Sequence, residues 1–143
     1  MRSRLSLLVV VLLALAVPAA AIAAEKVYVE SGIYPAPPKV RPHEFLLSGD
    51  GTLAIYGVRY QSYGGAVAEA TGRGYVRGCT PDCAQGKVYR PQAKIRLSKI
   101  TRCEGKQLYT KLEYTFQGTL PKGYLRHQVF DLRPIGENGK PLC

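Results

Sequence analysis

Small and polar residues alternate strictly between Ala66 and Arg77, in the segment AVAEATGRGYVR. One set of alternate positions holds only alanine, glycine and valine, whereas the other set includes Glu69, Arg73 and Tyr75. Because successive side chains of a strand point to opposite faces, this pattern predicts a strand with an inner face of small residues, on which a large group can pack. The surrounding glycines argue against a helix, since each costs about 1 kcal/mol in a helix interior.

Two later segments, 93–100 and 107–116, repeat the alternation and are joined by a short link that contains Gly105. They predict a β-hairpin. The residues predicted to point inward are Ala93, Ile95, Leu97, Leu108, Leu112, Tyr114 and Phe116, and those predicted to point outward include Lys94, Arg96, Tyr109, Lys111 and Glu113.

Further strands are predicted at Phe45–Leu47, Thr52–Tyr60 and Leu125–Leu132, and the segment Lys26–Glu30 predicts a short strand or an ordered arm. No amphipathic helix of ten residues follows the first 24 residues. Short strands separated by glycine and proline turns are typical of all-β domains. The predicted fold is therefore a small antiparallel β-sandwich or barrel.

The N-terminus has the pattern of a secretory signal peptide. Two arginines precede the apolar run Leu5–Val17, and the small residues Ala19–Ala24 follow it. Cleavage is expected before Ala24 or Glu25. The run is shorter than the ~20 residues that cross a bilayer, and no later segment could cross one, so the mature protein is predicted to be secreted without a transmembrane anchor.

Three regions are predicted along the chain: the signal peptide at 1–24, an extended proline-rich arm at 25–42, and a single all-β domain at 43–143. Four prolines between Tyr34 and Pro42 deny that part of the arm backbone donors and favour an extended conformation.

The formal net charge of +10 changes the range of expected partners. Positive charge outside the cytoplasm favours contact with anionic polymers or membrane surfaces, although on a small domain it can also serve solubility. The basic residues are spread along the chain rather than clustered. Charge by itself therefore leaves both interpretations open.

The motif CTPDC, from Cys79 to Cys83, could belong to a metal site, a redox site or a stapled turn. A zinc site needs a second pair of ligands, and His43 and His127 stand far apart in the sequence. A thioredoxin-like motif has two residues between its cysteines rather than three. The stapled turn is therefore favoured, and no metal or cofactor is predicted.

All four cysteines lie beyond the signal peptide, and an even number in a small exported domain indicates disulfides. Four cysteines allow three pairings, which the sequence cannot choose between rigorously. The preferred pairing joins Cys79 to Cys83 across Thr-Pro-Asp, and Cys103 to Cys143. The second bond would tie down the C-terminal residue, which would otherwise be a frayed tail.

The central part of the chain resembles small exported proteins of actinobacteria, in which an aromatic-x-x-aromatic-Gly element precedes C-x-P-x-C-A-x-G and a further strand. The resemblance covers roughly a third of the chain, with tyrosine where those proteins often carry tryptophan. It implies export and a domain type but no activity. The matching positions are Tyr60, Tyr63, Gly64, Cys79, Pro81, Cys83, Ala84, Gly86, Ile95 and Leu97.

Candidate catalytic groups are few. His43 and His127 occur in no recognised catalytic motif. Glu69, Glu113 and Asp131 could approach one another across strands, as any such residues in a sheet could. An enzyme is therefore disfavoured, although an unrecognised hydrolase stays open as a third hypothesis.

Binding is better supported, because two predicted strands, 66–77 and 92–100, have basic outer faces. Tyrosine and arginine also interleave along the chain, at Arg59/Tyr60, Tyr75/Arg77, Tyr89/Arg90 and Tyr124/Arg126. Aromatic rings beside cations suit an anionic polymer, and export argues against nucleic acid as the target. The first hypothesis is a non-catalytic, envelope-associated binding or structural module. The second is a secreted inhibitor that presents the stapled loop Thr80–Gln85 to a hydrolase, so the partner would be an envelope polymer or a secreted protein. The candidate binding residues are Arg73, Tyr75, Arg77, Lys94 and Arg96.

Overall fold

The computed structural model describes residues 25–32, 37–135, 140–141 and 143. The predicted signal peptide and residues 33–36 of the proline segment lie outside the described residues. Within the described part, no helix is long and apolar enough to cross a bilayer.

The described residues form eight strands and contain no helix, which confirms the all-β prediction. The strands are β1 (Val27–Val29), β2 (Glu44–Leu46), β3 (Leu53–Ser62), β4 (Ala68–Arg77), β5 (Val88–Tyr89), β6 (Gln92–Cys103), β7 (Lys106–Gln117) and β8 (His127–Asp131).

All eight strands belong to one curled sheet, a half-barrel, in the order β1-β7-β6-β4-β3-β2, with β5 also paired to β4 and β8 to β7. The predicted hairpin is present as β6 and β7, paired from Gln92 and Gln117 to Cys103 and Lys106. Of the two predicted architectures, the single curled sheet agrees in part with the barrel and not with a sandwich of two packed sheets. The expectation of antiparallel pairing is wrong for one strand pair, since β1 runs parallel to β7. Register shifts in β3 favour the curl, because a bulge bends its strand and increases the twist.

The N-terminal segment reaches from one edge of the sheet to the other. Val27 and Val29 pair with β7, and their side chains are buried in the core. Two residues further on, the carbonyl of Ser31 accepts a 2.8 Å hydrogen bond from the backbone N–H of Leu46 in β2. This segment therefore occupies both edges of the half-barrel, while the predicted boundary between arm and domain stays a prediction.

The inner face of β4 carries the small residues that the sequence predicts. Ala68, Ala70 and Val76 are buried, and a Cβ atom added at Gly72 would lie 2.8 Å from Ile55 Cγ2. The small residues of β4 thus make room for the large core side chains of neighbouring strands.

Tyr109 contradicts the expected alternation. It was expected to point outward, yet its side chain is completely buried. Its hydroxyl donates a 2.6 Å hydrogen bond to the carbonyl of Gly65 and accepts a 3.0 Å bond from the N–H of Gly64. Lys99, on the paired strand, has a φ of 56°, a left-handed conformation that interrupts the regular alternation at this point.

Both expected disulfides are present. Cys79 and Cys83 are joined with their Cα atoms 3.9 Å apart, and Cys103 and Cys143 with theirs 5.5 Å apart. The first closes a loop after β4, and the second ties the chain end to the end of β6. Such bonds indicate an oxidising, extracytoplasmic environment.

Candidate anion-binding face

The five predicted binding residues lie on two adjacent strands and on one side of the sheet. Arg73 in β4 pairs with Gln92 in β6, so Lys94 lies diagonally across the strand pair from Arg73. The residues of this side are mostly exposed, in contrast to the buried alternate positions of the same strands. We call the surface formed by Arg73, Tyr75, Arg77, Lys94 and Arg96 the outer face.

Tyr75 is the centre of a cationic cluster at one end of the outer face. The guanidinium carbons of Arg77 and Arg90 lie 5.7 Å and 5.5 Å from the centroid of its ring. Arg77 also donates a 2.5 Å hydrogen bond from Nη2 to the hydroxyl of Tyr75. The ring of Tyr56 in β3 meets Tyr75 edge-on, with centroids 6.2 Å apart. Cation–π contacts therefore hold two positive charges beside one half-buried aromatic ring.

Arg90 and Tyr56 were missing from the predicted site. The dipeptide Tyr89-Arg90 carries the same tyrosine-arginine pattern as β4, which was the available signal for Arg90. No local pattern places Tyr56 beside Tyr75, since their contact depends on the register of β3 against β4.

Arg73 and Lys94 are outer-face cations without an ion pair among the described residues. Arg77 shares this property, but its guanidinium is held by Tyr75 and Ala84. Within the described residues, neither Arg73 nor Lys94 has a carboxylate oxygen within 4.0 Å. Their side chains extend from exposed positions of β4 and β6. They can therefore contact an external anion without first breaking an internal ion pair.

Arg96 differs from these two residues. Its Nη1 atom lies 2.9 Å from Glu113 Oε2 in β7, and Lys111 Nζ lies 2.7 Å from Oε1 of the same carboxylate. Hydrogen bonds from Lys111 and Arg96 lower the pKa of Glu113 below its usual value. Glu113 is thus ionised at neutral pH and offsets part of the positive charge at this end of the outer face.

A shallow groove of about 340 Å³ adjoins the Arg96 end of the outer face. Gln61 Nε2 donates a 3.2 Å hydrogen bond to the hydroxyl of Thr71, and Thr115 Oγ1 lies 3.1 Å from His127 Nδ1. Such donors and acceptors on an open surface suit a hydroxyl-bearing ligand. The polar lining residues are Gln61, Glu69, Thr71, Lys94, Arg96, Glu113, Thr115 and His127.

Two acidic residues of this region flank Arg96 in the sheet. In the strand register, Arg96 lies opposite Glu69 of β4 on one side and opposite Glu113 of β7 on the other. Because the pKa of Glu113 is lowered, this carboxyl group is unsuited to donate a proton as a general acid near neutral pH. In the described part of the chain, no three His, Cys, Asp or Glu side chains are grouped as metal ligands.

The stapled loop Thr80–Gln85 is joined to the outer face through Arg77. Nη1 of Arg77 donates a 2.6 Å hydrogen bond to the carbonyl of Ala84. Oδ1 of Asp82 accepts bonds of 2.9 Å and 2.8 Å from the N–H groups of Ala84 and Gln85. The loop is exposed throughout, so it is both accessible and internally tethered.

The aromatic-x-x-aromatic-Gly element connects the N-terminal segment to the sheet. The hydroxyl of Tyr60 donates to the carbonyl of Pro42 at 3.1 Å, and that of Tyr63 donates to the carbonyl of Val27 at 3.0 Å. Their rings meet edge-on with centroids 4.9 Å apart. Burial raises the pKa of Tyr63, as expected for a phenol removed from water. This element therefore has a structural role, because its two tyrosines fasten the N-terminal segment to the sheet.

Comparison with known protein families, curated proteins and solved structures finds no match to this chain. Function is therefore inferred from the side chains and their geometry.

Proposed function

We propose that this protein is a secreted, non-catalytic binding module of the cell envelope, and that it holds a linear anionic polymer along its outer face. The observation that carries the proposal is the diagonal placement of Arg73 and Lys94, which are exposed and have no carboxylate partner among the described residues. Two adjacent uncompensated cations attract repeated negative charges more strongly than one does.

The outer face is elongated in the direction of β4. At one end of the outer face lies Arg77, and at the other end lies Arg96, which is opposite Glu69 of β4. From position 77 to position 69 the strand rises by eight residues, which corresponds to about 26 Å at ~3.3 Å per residue. Cations recur along this length, and the ring of Tyr75 offers a flat surface between them. A chain of charged sugars or phosphates matches this shape better than a single small molecule does.

The oxidising environment indicated by the disulfides favours an envelope polymer over nucleic acid as the target. Binding through exposed cations is weakened by salt, because counterions screen exposed charges with a Debye length of about 10 Å at 0.1 M. A marked decrease in affinity between low and high salt is therefore expected.

The test uses fluorescein-labelled polygalacturonate and measures its anisotropy as the protein is added at low salt. The double variant Arg73→Gln/Lys94→Gln should bind at least about tenfold more weakly than the wild type, which is about 1.4 kcal/mol. The control Lys26→Gln/Lys106→Gln removes the same charge from exposed positions near the β6–β7 turn and should change affinity less than about twofold.

Equal losses in the two double variants would show that net charge alone attracts the polymer. That result would overturn the assignment of the outer face. Unchanged binding in both variants would do the same.

A second candidate function is inhibition of a secreted hydrolase by the stapled loop Thr80–Gln85. Its support is the combination of exposure, a closing disulfide and the hydrogen bonds of Asp82, because a loop held in its bound conformation loses little entropy on binding. If this function holds, Asp82→Ala should abolish inhibition of secreted hydrolases in a panel assay, while Arg73→Gln/Lys94→Gln should preserve it. The opposite pattern would exclude the loop.

A further inference from the structure

A second hollow of about 520 Å³ lies where the chain enters β2, beside the part of β3 that extends past β2. It is separate from the tyrosine cluster around Tyr75. Among the described residues, its lining contains two arginines and a histidine but no acidic residue. The lining residues are Val40, Arg41, His43, Gly57, Val58, Arg59 and Tyr60.

The two arginines of this hollow have no carboxylate partners. Within the described residues, no carboxylate oxygen lies within 4.0 Å of Arg41 or Arg59. Arg41 belongs to the loop before β2 and Arg59 to β3. The fold thus brings two arginines that are eighteen positions apart in the sequence to the same hollow. Uncompensated guanidinium groups that converge on one hollow favour an anionic ligand.

Three contacts fix the loop that carries Arg41. The carbonyl of His43 accepts a 3.0 Å hydrogen bond from the N–H of Val58, and the carbonyl of Pro42 accepts one of 3.1 Å from the hydroxyl of Tyr60. The guanidinium of Arg41 lies 5.5 Å from the centroid of the Tyr63 ring. The position of the guanidinium is therefore set before any ligand arrives, which lowers the entropy cost of binding.

The backbone of Arg41 is in a left-handed conformation, with a φ of 51°. For a residue with a Cβ atom this conformation is sterically unfavourable, and it persists only where surrounding contacts impose it. The contacts of Pro42 and His43 supply that constraint. A strained cation beside an open hollow is the arrangement expected of a binding residue.

Gly57 lines the β3 side of the hollow. Its φ is 61°, and a Cβ atom at this position would have no neighbour within 4 Å. The space beside its backbone is therefore free for a ligand. Val40, whose side chain is exposed, adds apolar surface to the same hollow, whereas the side chain of Val58 is buried in the core.

We propose that this hollow is a binding site for a phosphate monoester. The dianionic phosphate lies between the guanidinium groups of Arg41 and Arg59, with His43 as a further donor, and the carbon skeleton contacts Val40. Arginine suits this role, because its planar donors pair with two oxygens at once. The site is independent of the outer face and does not require that the outer face binds polymer.

The test follows backbone amides by NMR while inorganic phosphate or glycerol 3-phosphate is added to the wild-type protein at constant ionic strength. Saturable shifts are expected at Gly57, Val58 and Arg59, with glycerol 3-phosphate binding at least as tightly as inorganic phosphate, since the open space beside Gly57 admits its carbon skeleton. Acetate, added in the same way, should bind at least about fivefold more weakly, since it carries a single charge. Acetate that bound as tightly as phosphate would overturn the phosphate assignment.

Substitutions separate this hollow from general attraction of anions. Arg59→Gln should weaken phosphate binding at least about fivefold, whereas Arg102→Gln, which removes an exposed cation paired with Glu25, should leave it within about twofold. If Arg59→Gln and Arg102→Gln weakened phosphate binding equally, no specific site would exist. The same would follow if the amide shifts of the wild type did not saturate with phosphate. The outer-face variant Arg73→Gln/Lys94→Gln should retain the phosphate shifts, so failure of one proposal is distinguishable from failure of the other.

Discussion

The ring of Phe116 packs directly on the backbone of Gly74, so closely that a Cβ atom at position 74 would lie 2.6 Å from Phe116 Cε1. These residues belong to β7 and β4, which are separated in the sheet by β6. Phe116 pairs with Ala93, the small residue of the intervening strand. The curl of the sheet thus depends on small residues in two strands that admit a ring from a third.

Gly74→Ala should therefore destabilise the protein. Pro91 Cγ would also lie 2.9 Å from the new Cβ, so neither neighbour leaves space for a methyl group. The expected decrease in the free energy of unfolding is about 1–3 kcal/mol, as for other overpacked cores, measured by urea denaturation. At Gly65 the nearest atom to an added Cβ would be the carbonyl oxygen of Val67, 3.9 Å away, and Gly65→Ala should change the free energy of unfolding by less than about 0.5 kcal/mol. Similar losses at the two positions would contradict the packing described for Gly74.

Two buried tyrosines should respond oppositely to the loss of their hydroxyl groups. Tyr109 makes two hydrogen bonds through its hydroxyl, to Gly64 and Gly65, so Tyr109→Phe should lower the free energy of unfolding by about 1–2 kcal/mol. The buried hydroxyl of Tyr114 has no hydrogen-bond partner among the residues that the structure describes, and Tyr114→Phe should leave stability unchanged or raise it by up to about 1 kcal/mol.

Thermal unfolding of the two variants is the relevant comparison, because both lose one oxygen from a buried ring. A larger loss at Tyr114 than at Tyr109 would refute the hydrogen-bond assignments of both residues.

The two disulfides should contribute unequally to stability. The bond between Cys103 and Cys143 spans 40 positions, whereas that between Cys79 and Cys83 spans 4. In the loop-entropy description these correspond to about 4 and about 2 kcal/mol. Cys143→Ser should accordingly lower the melting temperature more than Cys83→Ser does, as measured by calorimetry under non-reducing conditions. The reverse order would be inconsistent with entropy as the main contribution.

Asp50 should make stability depend on acidic pH. Hydrogen bonds from the hydroxyl and the N–H of Thr52, at 2.7 Å and 3.0 Å, lower the pKa of Asp50 from 3.8 to about 2. A carboxylate whose pKa is lower in the folded state stabilises that state above its unfolded pKa, and this contribution is lost as pH falls through the folded pKa. The wild type should therefore be more stable than Asp50→Asn at pH 5, by a margin that shrinks towards pH 2.

Urea unfolding at the two pH values measures this margin directly. A margin that stayed constant, or grew as the pH fell, would be incompatible with a lowered pKa at Asp50.

Local features of the chain were sufficient to predict several elements. The small inner face of β4 and the β6–β7 hairpin follow from strict alternation, because a strand places every second side chain on the same face. The loop between Cys79 and Cys83 follows from short spacing around a turn. The shared outer position of Arg73, Tyr75 and Arg77 follows from the same period of two.

The candidate sites were only partly predictable, because register decides which charges meet. Arg96 and Lys94 look equivalent in the sequence, yet the pairing of Arg96 with Glu113 compensates one charge and leaves the other available. The hollow of Arg41 and Arg59 escaped prediction since it combines a loop with a distant strand.

The sequence by itself determined the all-β class, the inner and outer sides of the regular strands, and the cysteines available for disulfides, since these depend on neighbouring residues. Only the tertiary structure decided that one sheet curls into a half-barrel, that Tyr109 turns inward, and that the N-terminal segment occupies both sheet edges. Those outcomes depend on contacts between residues tens of positions apart. Such contacts form only where strand register and side-chain volume agree across the whole sheet.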